Sequence, residues 1–130
     1  MSMKVYTSYY AKVNRSRIKD RLVLVQVSNT RPQWWEGKIH DLGKLLAPDW
    51  SLINAYKNGT ITYEAFCEEY KADLSRRVEP TDVVDKLEEI ARECGLELVV
   101  LLCWEKEGCH RFALAEWLEP YCNVVGEIEL

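Results

Sequence analysis

The sequence contains no apolar run approaching the roughly 20 residues that a membrane-spanning helix needs. Its start, Met1-Ser2-Met3-Lys4, lacks the apolar stretch and cleavage site of a secretory signal, which predicts a cytoplasmic protein. It also lacks an excess of positive charge. Seventeen Lys and Arg stand against 21 Asp and Glu, a net charge of −4, so neither nucleic acid nor an anionic membrane attracts the chain as a whole. Phosphate loops of the G-x-G-x-x-G and G-x4-G-K-S/T kinds are missing. So is the Cys-x5-Arg loop of cysteine phosphatases, because the arginine position counted from Cys103 holds Cys109. Cys103, Cys109 and His110 do not form the two close ligand pairs of a structural zinc site, and no metal is expected there.

What is present is the balance of one globular domain spanning residues 1–130: 48% hydrophobic and 29% charged, too apolar for disorder. Lys4–Ser8 and Leu22–Ser28 read as strands, the second stopped by Asn29-Thr30-Arg31-Pro32. Gln33–Gly43 shows no period and reads as an irregular connection. Three helices follow. One starts at Asp49 or Ser51 and ends at Asn58-Gly59. A second is capped by Thr62 and carries Tyr63, Phe66, Cys67, Tyr70 and Leu74 at helical spacing. The third runs from Pro80-Thr81-Asp82 to Gly95 with Val83, Val84, Leu87, Ile90, Ala91 and Cys94 on its apolar face. Glu97–Cys103 is an all-apolar third strand, and Cys109 or His110 opens a helix to Leu118. Asn123–Ile128 supplies a last strand. Strand–helix alternation with apolar strands predicts a three-layer Rossmann-like α/β domain, its mostly parallel sheet covered by helices on both faces.

In such a sheet ligands bind beyond the carboxyl ends of the strands. That rule brings together Ser8, Tyr9 and Tyr10 from the first strand, Ser28 and Arg31 from the second, and Cys103, Trp104 and Glu105 from the third. Cys109-His110-Arg111 closes the set at a helix start, where free backbone N–H groups favour an anion. Arg31 and Arg111 suit a phosphate or carboxylate, and Tyr9, Tyr10 or Trp104 can stack on a planar ring. Glu105 and His110 are acid–base candidates. Cys109 is the sharper thiol, since a helix N-terminus beside Arg111 favours thiolate.

Each residue also has a plainer use. Ser8 and Ser28 can cap turns, the tyrosines can pack the sheet edge, and His110 can satisfy loop backbone. Arg111 can pair with Glu105 or Glu116. Cys67 and Cys94 read as small buried hydrophobes in a reducing compartment, and Trp34 and Trp35 as core cover. The basic Lys12–Arg21 segment reads as a solvated connection.

Several segments together resemble the bacterial and archaeal family designated domain of unknown function 488 (DUF488). They are Lys4–Tyr10, Val27-Ser28 with Pro32 and Trp34, Tyr56-Lys57-Asn58-Gly59 through Tyr63 and Tyr70, and above all Leu101-Leu102-Cys103-Trp104-Glu105-Lys106 followed by Cys109-His110-Arg111 and Trp117-Leu118. The resemblance implies a Rossmann-like fold and a site at Cys103, Glu105, Cys109, His110 and Arg111, joined by Ser8 and Ser28. The segment between the two cysteines is shorter here than in many members. The resemblance indicates a place and leaves the reaction open. The leading expectation is a phosphorylated or nucleotide-like ligand bound at this rim, with or without its hydrolysis. The alternatives are thiol or metal chemistry at Cys103 and Cys109, and a protein or nucleic-acid interaction module using Trp34, Trp35 and the basic segment.

Overall fold

A computed structural model describes residues 2–130, so Met1 of the N-terminal reading lies outside it. Five strands form one sheet: β1 (Lys4–Tyr9), β2 (Val23–Gln26), β3 (His40–Asp41), β4 (Leu98–Cys103) and β5 (Val124–Glu127), in the order β3-β2-β4-β1-β5. Every pairing is parallel. β4 lies between two partners and is covered on both faces, which is why five of its six residues are fully buried and none is polar.

Among the described residues six α-helices complete the fold: α1 (Tyr10–Asn14), α2 (Gly43–Leu46), α3 (Trp50–Lys57), α4 (Tyr63–Arg77), α5 (Pro80–Cys94) and α6 (Arg111–Leu118). Proline at the first position of α5 has no N–H of its own to leave unpaired, and Gly95 closes the helix at φ 67°, a left-handed cap that suits glycine. Its apolar face, Val83, Val84, Leu87, Ile90 and Ala91, is buried against the sheet; each large side chain there contributes about 1.5–3 kcal/mol. Thr62 caps α4 by accepting from the Ala65 amide at 3.1 Å. None of these helices is long and apolar enough to cross a membrane.

The two faces are covered unequally. One carries α4, α5 and α6 with a core running through Tyr70, Leu87, Leu101 and Leu114. The other carries only α1, with Leu22, Trp35, Ile39 and Ile128 around Val100 and Leu102. The Lys12–Arg21 connection is therefore not simply solvated. It includes part of α1 and a 3-10 turn at Lys19–Arg21, and Val13 is fully buried within it. The stretch read as irregular contains β3 and the start of α2, both too short to show a period. Cys67 and Cys94 are half-buried rather than sealed in the core, Cys94 touching His40 with Sγ and Nε2 3.5 Å apart. Trp34 is exposed while Trp35 packs on Tyr10.

Candidate functional site

Parallel register sets Tyr9 beside Cys103 and Gln26 beside Leu102, so the ends of β1, β2 and β4 share one rim. A cleft of about 800 Å³ opens there. Its walls come from three places: Ser28, Asn29 and Thr30 after β2; Cys103 through Glu105 and Glu107 through His110 around the β4–α6 loop; and Trp50, Ile53, Tyr56, Lys57 and Phe66 from α3 and α4.

Cys103, Cys109 and His110 form the buried floor. The two cysteine sulfurs are bonded, with their Cα atoms 7.0 Å apart. Each of the three residues offers a ligand atom within 4.8 Å of the others. His110 Nε2 lies 2.6 Å from the Val27 carbonyl, which can only accept, so Nε2 carries the proton. The unprotonated Nδ1 then faces Cys109 Sγ at 3.7 Å. Burial pushes the imidazole pKa down to about 4, and the neighbouring Arg111 charge adds to this, so the ring is neutral at physiological pH. The plainer use of His110, satisfying backbone, is thus realised at one nitrogen only. Neighbouring side chains usually diverge, yet Cys109 and His110 converge here because both belong to the turn entering α6.

Arg111, expected to hold a ligand anion, is engaged within the protein instead. It is fully buried and absent from the cleft wall. Its five N–H groups are all engaged: Nε with Glu127 Oε2, Nη2 with Glu127 Oε1 and the Lys106 carbonyl, Nη1 with Cys103 Sγ and the Glu105 carbonyl. The partner is Glu127, not Glu105 or Glu116. Burial opposes ionisation of Glu127, but hydrogen bonds from Arg111 and Thr7, with the Arg111 charge, hold its carboxyl below the ordinary range.

Tyr10 likewise leaves the cleft. It is 1% exposed, lies edge-on to Trp35 and Trp104, and meets Ser28 Oγ at 2.6 Å; burial pushes its pKa up to about 12. Tyr9 packs its ring on Arg111. Arg31 is drawn back onto Gln26 Oε1 at 3.0 Å. Ser8 is buried, and its Oγ has no hydrogen-bond partner. Of the expected residues, Ser28, Cys103, Trp104, Glu105, Cys109 and His110 line the cleft; Ser8, Tyr9, Tyr10, Arg31 and Arg111 do not. Cys109, expected as a reactive thiolate, is bonded to Cys103 instead.

The wall from α3 and α4 escaped the sequence reading. None of the α3 residues is fully buried: Leu52 packs partly on the core, while Trp50, Ile53 and Tyr56 line the cleft. Tyr56 Oη also meets the turn at Gly108, where φ is +63° and an added Cβ would lie 2.6 Å from that oxygen.

No curated protein and no solved structure matches the chain. The profile of the family described as "Active DUF488-N3 subclade" matches residues 4–121, and the chain belongs to that DUF488 family.

Proposed function

We propose that the cleft binds a nucleotide-like ligand through its planar ring rather than through a phosphate. The observation that carries this reading is the pair of half-exposed indoles on the cleft wall, Trp50 at 54% and Trp104 at 45%, beside Tyr56 and Phe66. Trp104 is anchored for the task, since its Nε1 donates to the Thr30 carbonyl at 3.0 Å while the ring stays half-exposed on the cleft wall. Electrostatics argue against a phosphate grip. The wall's charged side chains are Lys57, Glu105 and Glu107, and Lys57 is already paired with Glu105 at 3.5 Å. Neither arginine expected to hold an anion lines the cleft.

Intrinsic tryptophan fluorescence, titrated with adenosine, cytidine and guanosine and with their monophosphates, tests the reading. A nucleoside is expected to quench the emission, and its 5′-phosphate to bind no more tightly. Trp104→Ala is expected to weaken binding by about 5- to 150-fold, the worth of one base–aromatic stack. Monophosphates binding tightly where nucleosides do not would overturn it, as would full affinity in Trp104→Ala.

A further inference from the structure

We infer that Cys103, Cys109 and His110 are the protein ligands of one divalent metal ion of the zinc class, with a fourth coordination position open to the cleft. The inference goes beyond ring binding and does not depend on it. Two sulfurs and an imidazole suit zinc better than a hard cation such as magnesium or calcium. Two thiolates neutralise a doubly charged ion, so the filled site buries no net charge.

Three features of the geometry favour a metal. The first is the orientation of His110. A metal-ligating histidine characteristically donates its other ring N–H to a carbonyl or carboxylate, which fixes the tautomer and aims the free nitrogen. The Nε2 bond to Val27 at 2.6 Å does this, and Nδ1 faces the sulfurs. The second is spacing. The Cα atoms of Cys103 and Cys109 are 7.0 Å apart, just beyond the 4.4–6.8 Å that disulfides usually span. Two thiolates on a tetrahedral ion, each at about 2.3 Å, sit roughly 3.8 Å from one another, which suits that wider separation. The third is the hydrogen bond to Cys103 Sγ from Arg111 Nη1 at 3.3 Å, a charged donor that stabilises a thiolate ligand. C-x5-C-H lacks the paired spacing of a structural zinc module. It is one ligand at the end of β4 and two at the entry to α6, and in zinc sites three protein ligands with a vacant position accompany chemistry at the metal. Glu107 lines the same cleft outside the Lys57–Glu105 pair and is available to a water or ligand atom at that position.

The sulfurs are joined in the structure, so the metal-binding form is the dithiol. A phosphine or thiol reductant supplies two electrons that break the S–S bond, and two protons come from water. Metal binding then forms two metal–sulfur bonds and releases those two protons.

Cobalt(II) provides the test, because thiolate ligation gives charge-transfer absorption and a tetrahedral site gives intense visible bands. The phosphine-reduced wild type is expected to take up one cobalt per chain with both signatures, and the oxidised wild type none. Cys103→Ser and Cys109→Ser are expected to lose the charge-transfer absorption. His110→Ala is expected to shift the visible bands and to weaken binding at least tenfold. A reduced, folded wild type that takes up no cobalt, or takes it up without thiolate charge transfer, overturns the inference. The wild-type comparison decides the matter even where a variant fails to fold. The outcome is also independent of the nucleoside titration, which reads tryptophan emission in metal-free protein.

Discussion

The two sides of the β4–α6 loop, residues 104–110, are built on opposite principles. On the side toward β1 and β5, Arg111 matches its five donors to five acceptors and nothing is left over. On the cleft side, His110 Nδ1 and the indole faces of Trp50 and Trp104 retain unused capacity. Residues adjacent in sequence thus divide the work. The saturated side fixes the backbone carbonyls of Glu105 and Lys106, and that rigidity lets the other side hold a precise geometry without satisfying itself internally. A buried arginine beside a cleft is easily taken for a ligand clamp; counting its acceptors distinguishes a clamp from a brace.

The largest test of this contrast is Arg111→Ala. Removing one partner of a buried ion pair commonly costs about 3–5 kcal/mol; the 35% exposure of Glu127 places this one toward the lower end. Urea denaturation reads it, and Arg111→Lys is expected to restore little, because an ammonium cannot reproduce the fork. A loss under about 1 kcal/mol would mean that the brace is not needed. Gly108→Ala comes next. A left-handed φ of +63° in a non-glycine residue costs about 1–2 kcal/mol, and the new methyl pushes on Tyr56 Oη, so both the melting midpoint and nucleoside affinity are expected to fall. Adding Tyr56→Phe should recover part of the affinity; no recovery would assign the whole effect to the backbone.

A smaller effect is expected with pH. The folded-state pKa of Glu127 lies below its unfolded value, so the unfolded chain binds the extra proton first. The contribution of the Arg111–Glu127 pair is complete above about pH 4.5 and is lost as pH falls through the folded value. Urea midpoints of wild type and Glu127→Gln should therefore converge on acidification, and parallel curves would refute the pairing. The smallest effect belongs to Lys57→Ala on the rim. Its 3.5 Å ion pair with Glu105 is more than half exposed on both sides, so stability should change by less than about 0.5 kcal/mol.

Much of the fold was legible because its signals are local. The apolar run Leu98–Cys103, the Thr62 cap, and proline and glycine at the two ends of α5 each announce themselves within a few residues. α1, α2 and β3 are too short to show a period, and they owe their existence to tertiary contacts: Val13 and Leu46 are buried in the two cores, and β3 pairs with β2. The site divides in the same way. Cys103, Trp104, Glu105, Cys109 and His110 could be placed because topology puts strand ends together. The roles of Arg111 and Tyr10 could not, since Glu127 and Ser28 lie far away in sequence and only contact reveals who is already engaged. Trp50, Tyr56 and Phe66 were missed because an aromatic on a helix looks the same in sequence whether it faces a core or a cleft.

The strand order carries a consequence for how the chain is made. β1 pairs only with β4 and β5, and β2 pairs only with β3 and β4, so the two halves of the sheet meet through Leu98–Cys103 alone. During synthesis β1 has no neighbour until those six residues emerge, which makes folding late and dominated by distant pairings. The strand that ends this wait also ends in Cys103. Joining the two halves of the sheet and delivering the first floor residue of the cleft are therefore one event, and a chain that has completed its core has already begun its site.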